Sequence, residues 1–279
     1  LLHVQRSPSC RRYTHCTYAG GAPLPAGPAG SPARPAKRGR GGAPQEPAVE
    51  PVLLLFDIDG TLVRVPAALR ACRRALKELY GVEDGDRGFD FSGATDLPAF
   101  RELARRCGSR GDDVDLLIAR YLAHLEEEIA ADPGICLPGA HRFTAACAAD
   151  PRYRLALGTG NVQAGARAKL RAHGLDGYFP TGGFGDDAEQ RADILRVAVG
   201  RAQEVYGQRF RRVIVIGDTP LDVAAARAVG AAVLAVATGR PSLAELEAAA
   251  PDGLLPDLSD TDRALALLAD LAAAVKPWG

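Results

Sequence analysis

The stretch Val52-Leu53-Leu54-Leu55-Phe56-Asp57-Ile58-Asp59-Gly60-Thr61-Leu62 decides the reading of this chain. Apolar residues in succession, with no alternation, are the pattern of a strand buried on both faces. Such strands belong to parallel sheets covered by helices on each side. The run ends at two carboxylates one residue apart, and Gly60 permits an abrupt turn behind them. The carboxyl end of a buried strand is where open α/β sheets bind ligands.

Outward from this stretch, further apolar runs occur at Tyr153–Leu157, Val213–Ile216 and Ala232–Ala237. Helical patterns lie between and after them, at Ala164–His173, Ala192–Tyr206, Leu221–Val229 and Asp262–Val275. Alternating strands and helices predict an α/β fold, a Rossmann-like doubly wound parallel sheet. About a hundred residues separate the first strand from the second, where a crossover needs only a dozen or so. That span carries helical patterns only, at Ala67–Tyr80, Leu97–Cys107 and Asp113–Ala131, with breaks at Gly81–Gly93 and Gly108–Gly111. The sequence therefore predicts an inserted α-helical cap at 66–137 within a core formed by 51–65 and 138–279. Residues 1–50 form a separate tail.

Further polar elements sit at the ends of the later strands. Gly158-Thr159-Gly160-Asn161 follows the second run, and its hydroxyl and backbone amides can cradle phosphate oxygens ahead of a helix. Val213-Ile214-Val215-Ile216-Gly217-Asp218-Thr219-Pro220-Leu221-Asp222 delivers Asp218 at a strand end and Asp222 at a helix opening. A helix N-terminal acid favoured by the dipole is the plainer reading of Asp222. Two cations compete for a basic role: Arg191, after Phe184-Gly185-Asp186-Asp187-Ala188-Glu189-Gln190, and Lys169, whose spacing puts it inside the helix behind Thr159. Arg191 is preferred, and the choice stays open at this stage.

In this order the elements resemble the four motifs of the haloacid dehalogenase-like hydrolase superfamily, and the resemblance spans the chain from Val52 to about Thr238. Where the family more often has Lys, Arg191 is a departure that keeps the charge but supplies a planar fork. The resemblance implies a phosphatase with a small helical cap. Asp57 would be the nucleophile and Asp59 the general acid and base. Thr159, Gly160 and Arg191 would bind phosphate. Mg²⁺ would be held by Asp57, the backbone carbonyl of Asp59 and Asp218, with Asp222 supporting the ion or its waters. The cap segment Phe91-Ser92-Gly93-Ala94-Thr95-Asp96 resembles that of phosphoglycolate phosphatases and β-phosphoglucomutases, which points Thr95, Asp96 and Arg101 at the substrate. An N-cap on the following helix explains Thr95 or Asp96 equally well. Arg64, just past the first motif, could help closure, and a surface role is preferred.

The chemistry requires a cation. A carboxylate facing a phosphate dianion at about 4 Å meets about 8 kcal/mol of repulsion at an effective dielectric of 20, close to six decades in rate. A divalent ion removes this term. Asp59 favours turnover to free phosphate or transfer to a sugar, because family members that dehalogenate lack this acid and those that stop at a phosphoenzyme carry Thr there. A phosphosugar mutase is the rival in mechanism. A phospho-Asp signalling module or a non-catalytic scaffold are the rivals from other classes. A receiver module carries its acid pair ahead of the phosphorylated Asp and has no helical insert, so the order here argues against it.

Composition sets the remaining bounds. Lys+Arg and Asp+Glu are equal at 34 each, and hydrophobic residues make up 47%. No global field points to nucleic acid or membrane. The expected partner is a small phosphorylated metabolite, with the protein a monomer or homodimer. Residues 1–50 hold seven Lys/Arg against Glu46 and Glu50, which leaves an acidic remainder suited to binding a cation. The tail is rich in Pro, Gly, Ala and Arg without periodicity and reads as disordered. It resembles a transit peptide in lacking acids before Glu46. A plain tail, or translation from upstream of the natural start, is preferred, and with no Met in the chain that start is unmarked. The six Cys show no CxxC and read as reduced, mostly buried thiols of a cytoplasmic protein. His124, His141 and His173 lie in helical patterns and read as structural.

Overall fold

The computed structural model describes residues 51–110 and 112–274. The disorder expected of the tail, together with Cys10 and Cys16, falls outside the described residues, as do Gly111 and Val275.

Strand β1 (Val52–Phe56) is buried along its whole length. It pairs in parallel with β4 (Tyr153–Gly158) on one side and β6 (Val213–Gly217) on the other. With β5 (Gly182–Gly183), β7 (Ala232–Val236) and β8 (Gly253–Leu255), these form a six-stranded parallel sheet in the order β5-β4-β1-β6-β7-β8. The central place of β1 explains its unbroken apolar run, since both faces need cover. Val52, Leu54 and Phe56 pack on one side with Phe143, Leu170, Phe179 and Leu268. Leu53 and Leu55 pack on the other with Leu195, Val199, Val223 and Val233. The first side is covered by α4 (Ala140–Ala149), α5 (Gln163–Ala172) and α9 (Thr261–Ala274). The second is covered by α6 (Arg191–Tyr206) and α7 (Pro220–Ala228). A shorter helix, α8 (Leu243–Ala249), lies between β7 and β8 in sequence.

The span after β1 departs from helical patterns alone. A two-residue strand β2 (Val63–Arg64) pairs antiparallel with β3 (Ile135–Cys136), which falls inside the stretch expected to be wholly helical. Two residues are too few to show a period, so no sequence pattern marks this strand. Helices α1 (Ala67–Tyr80), α2 (Asp96–Arg106) and α3 (Val114–Ala131) run between these two strands. They bury Leu76, Phe100, Leu103, Leu117, Tyr121 and Leu125 in a hydrophobic cluster of their own. Among the described residues, no helix is long and apolar enough to cross a membrane. Cys72 and Cys147 are buried and Cys107 and Cys136 half-buried, all as free thiols. His124 contacts Glu78 at 2.8 Å, and His173 contacts the Pro133 carbonyl at 2.9 Å.

Because Leu54 is fully buried at the centre of the sheet, Leu54→Ala is expected to lower unfolding free energy by about 2–5 kcal/mol. Leu116→Ala, at a half-exposed position of α3, should stay within about 0.5 kcal/mol of the parent. Urea unfolding of both variants checks this contrast.

Candidate active site

The carboxyl edge of the sheet gathers the polar elements. Asp57 leaves β1, and its amide donates to the Ile216 carbonyl at 2.9 Å, so the strand pairing is maintained up to the carboxylate. Gly60 then turns the chain with φ of +86°, and a Cβ there would lie 2.3 Å from an Asp218 oxygen. A side chain at residue 60 would therefore displace Asp218 as well as strain the backbone. Asp218 leaves β6, and its Oδ1 accepts from the Thr61 hydroxyl at 2.9 Å.

The helix behind Asp218 begins with Thr219-Pro220-Leu221-Asp222, a capping box with Pro in the first turn. Asp222 Oδ2 accepts from the Thr219 amide at 3.0 Å and hydroxyl at 2.8 Å. Its Oδ1 accepts from Arg191 Nε at 2.9 Å and Nη2 at 2.6 Å. The cap reading of Asp222 and a place in the site are thus the same arrangement. Four donors already occupy its two oxygens, which suits it to hold Arg191 rather than to face a ligand. Arg191 Nη2 also lies 2.9 Å from Asp57 Oδ2.

Asp57, Asp218 and Asp222 are all buried and offer oxygens within 4.8 Å of one another. Burial pushes the Asp57 carboxyl up to about 6, against Arg191, which pulls it down; Asp222 raises it further. Burial, then Asp57 and Asp222, raises Asp218 well above the usual carboxylate range. Burial works against the Arg191 charge, but Asp222 and Asp57 outweigh it and hold the guanidinium protonated. With all three carboxylates ionised, the one guanidinium would leave this desolvated group two charges negative. Hard oxygen donors with that deficit fit a divalent cation such as Mg²⁺. Asp57 and Asp218 are the side chains with oxygens to offer it.

A second polar group lies beside the first. Asp59 Oδ2 accepts from Lys169 Nζ at 2.6 Å and from Asn161 Nδ2 at 2.9 Å. Lys169 is buried on α5 and also donates to Asn161 Oδ1 at 2.6 Å. The choice between Arg191 and Lys169 therefore dissolves: both cations are in the site, one on Asp57 and the other on Asp59. The side-chain amide of Asn161 also donates to the Thr159 hydroxyl at 2.8 Å. Thr159 in turn hydrogen-bonds Asp57 and lowers its pKa.

The loop before α2 closes on this floor. The Asp96 amide donates to the Gly160 carbonyl at 2.8 Å, and Asp96 Oδ2 accepts from the Val162 amide at 2.8 Å. A Cβ on Gly160 would lie 2.3 Å from the Ala94 carbonyl oxygen, so this contact needs glycine. Arg191 Nη1 reaches the Gly93 carbonyl at 3.3 Å. The cavity has a volume of about 430 Å³, with Asp57, Asp59, Asp96, Lys169, Arg191 and Asp218 among its lining.

The residues expected to meet substrate separate here. Asp96 lines the cavity. Thr95 holds the N-cap position of α2 without a side-chain cap bond and lies outside the cavity lining. Arg101 is also outside it, because its guanidinium pairs with Glu189 at 2.5 Å, ahead of α6. Arg64, read as a surface residue, does line the cavity, and its Nη2 donates to the Thr238 carbonyl at 2.8 Å. Arg240 and Tyr121 line it too and carried no signal in the sequence. Tyr121 sat in the helical apolar period and read as core.

A family model described as haloacid dehalogenase-like hydrolase matches residues 52–230. The chain is 30% identical over 200 residues to a phosphoglycolate phosphatase of Rhodospirillum rubrum, which takes in 68% of this chain and 80% of that enzyme. It is 30% identical over 220 residues to a phosphoglycolate phosphatase of Synechococcus elongatus, covering 77% of this chain and 97% of that enzyme. A solved haloacid dehalogenase-like family protein from Streptococcus pneumoniae shares the fold with a TM-score of 0.58 at 20% identity, over 78% of this chain and 99% of that one.

The acid cluster fixes a pH dependence. An unfolded Asp is ionised above about pH 4, whereas folded Asp57 keeps its proton up to about 6. Between these values the folded state binds more protons, so metal-free stability falls as pH rises through this window. The loss is expected to be on the order of 3 kcal/mol for this carboxyl. Asp57→Asn should reduce that loss, and Mg²⁺ should raise the melting temperature more at pH 7.5 than at pH 5. Thermal unfolding across pH with and without Mg²⁺ checks both.

Proposed function

The chain belongs to the haloacid dehalogenase-like hydrolase family, and on that premise we propose that it is a Mg²⁺-dependent phosphatase acting on a small phosphate monoester through an aspartyl-phosphate on Asp57. The observation that carries this reading is the ion-paired cluster at the end of β1, where Arg191 lies 2.9 Å from Asp57 beside Asp218. The relatives named phosphoglycolate phosphatases support a phosphorylated metabolite as substrate.

A Mg²⁺ ion held by Asp57 and Asp218 would cancel the repulsion between carboxylate and phosphate and polarise the phosphoryl group. The chain's own groups account for the remainder. Asp57 attacks phosphorus as the ester P–O bond breaks, and the departing alkoxide takes a proton from Asp59. Asp59 then takes a proton from the attacking water as the Asp57–phosphorus bond breaks, and inorganic phosphate leaves. Both hydrogen bonds to Asp59 fall on Oδ2, so Oδ1 is the oxygen suited to carry this proton. Arg191, the Thr159 hydroxyl and the Gly160 amide are the donors proposed to hold the transferring oxygens. Helices α1–α3, residues 66–137, act as the cap that excludes water. Asp96 serves as the substrate-side acid of that cap, or as the clamp joining it to the loop after β4.

Phosphate release from a panel of small esters tests the reading. Release should require Mg²⁺ and vanish in Asp57→Asn. Asp59→Asn should lower kcat by roughly two to four decades. Arg191→Ala should lower activity and also destabilise the fold by about 3–5 kcal/mol, because Asp222 would be left buried without its cation. Release that survives Asp57→Asn would rule out the covalent route.

A further inference from the structure

The cavity over Asp57 has two unlike ends. Its floor is the charged group described above. Its far wall comes from α1, α2 and α3 and the segments leading into them, and is built of Val65, Leu69, Cys72, Phe91, Phe100 and Tyr121. Leu69 is 36% exposed, the face of a helical leucine turned to open space rather than into the cluster behind it. The thiol of Cys72 is buried and held protonated, pushed up to about 12 mainly by burial. It presents an apolar surface here rather than a nucleophile.

Charge adds a second constraint. Four carboxylates line the cavity, those of Asp57, Asp59, Asp96 and Asp218, against four cations. Three of these cations are paired with carboxylates. Lys169 is on Asp59, and Arg191 is shared by Asp57 and Asp222. Arg240 pairs with Asp90 at 3.0 Å, and Arg64 donates to a backbone carbonyl. The apolar wall itself carries no cation, so a second carboxylate placed against it would pay its desolvation.

Tyr121 supplies a third constraint. Its side chain is only 3% exposed, lines the cavity, and has no hydrogen-bond partner among the described residues. Burial, with Asp96 and Asp59 nearby, holds its hydroxyl protonated. Its O–H is left to donate to an acceptor that a ligand brings into the cavity.

Resting on the phosphatase reading above, we infer that this site takes the phosphate ester of an apolar alcohol, a short alkyl chain or single ring bearing one neutral acceptor oxygen and no second anionic group. The apolar wall receives the alcohol, and Tyr121 donates to the acceptor. A cavity of about 430 Å³ suits a ligand of that size.

The test uses the Mg²⁺-loaded full chain and esters of similar leaving-group acidity: ethyl, butyl and hexyl phosphate, 4-methoxybutyl phosphate, phosphoglycolate and glucose 6-phosphate. The value of kcat/KM should climb from ethyl to hexyl by roughly tenfold or more, since each buried methylene is worth up to about fourfold. Phosphoglycolate and glucose 6-phosphate should fall below hexyl phosphate. Leu69→Gln should lower the hexyl-to-ethyl ratio, and Tyr121→Phe should lower the methoxybutyl-to-hexyl ratio by about fivefold. Calorimetric binding of ethyl- and hexylphosphonate to the parent protein gives a readout that needs no turnover or variant, and the hexyl compound should bind more tightly. Release with a flat or falling series, or with phosphoglycolate or the hexose phosphate preferred to hexyl phosphate, overturns the inference and leaves the phosphatase standing. An unchanged methoxybutyl ratio in Tyr121→Phe overturns the acceptor oxygen. Phosphonate binding that strengthens with chain length without release from any ester overturns the phosphatase reading instead, and neither binding nor release overturns both.

Discussion

The arrangement turns on the placing of three carboxylates, Asp57, Asp218 and Asp222, in one desolvated spot with one guanidinium among them. Like charges so close repel strongly when water is excluded. Burial also disfavours each charged form, which is why Asp57 and Asp218 are both raised. Such a group persists only if the scaffold holds it, and the scaffold here is stiff. Two adjacent parallel strands, paired Phe56 to Ile216, end together and deliver Asp57 and Asp218 side by side. The capping box of α7 fixes Asp222 by its own backbone. A divalent cation bound there would relieve the repulsion that the fold holds in place.

The same constraint explains which parts were readable from sequence. The buried centre of a parallel sheet demands uninterrupted apolar runs, so β1, β4, β6 and β7 stood out, and the acids followed at their ends. The outer strands did not. β5 is Gly182–Gly183 and β8 is three residues long, too short for any period. Alpha helices α4 and α8 also passed unnoticed, α8 because a single residue, Leu246, is buried and no stripe forms. The helices of the insertion were plain because each buries one face against the others, as Leu117, Tyr121 and Leu125 do at helical spacing.

Within the site, residues on motif backbones were readable and residues brought in by tertiary approach were not. Lys169 illustrates the difference. Its position inside α5 leaves it only the rival of Arg191 for the basic role, and the packing of α5 beneath the loop after β4 is what brings its Nζ to Asp59. Arg101 failed in the opposite direction. It follows Asp96 on α2, but a helix turns 100° per residue, and at position 101 the side chain reaches Glu189 instead of the cavity. Linear proximity to a motif carries no information about which side of the helix a residue occupies.

The Arg at position 191 is best understood from what it touches. Its Nε and Nη2 both donate to Asp222 Oδ1, Nη2 also meets Asp57, and Nη1 reaches the carbonyl of Gly93 in the loop before α2. One rigid fork thus serves two carboxylates and a backbone oxygen lying in different directions. A lysine offers a single nitrogen on a flexible stem and would have to choose among them. The third contact ties the insertion loop to the same cation that pairs with Asp57. With Asp96 clamped to Gly160 and Val162 beside it, the loop is fastened at both edges of the site. One guanidinium thus joins the insertion loop to the carboxylates of the floor, while Lys169 pairs with Asp59.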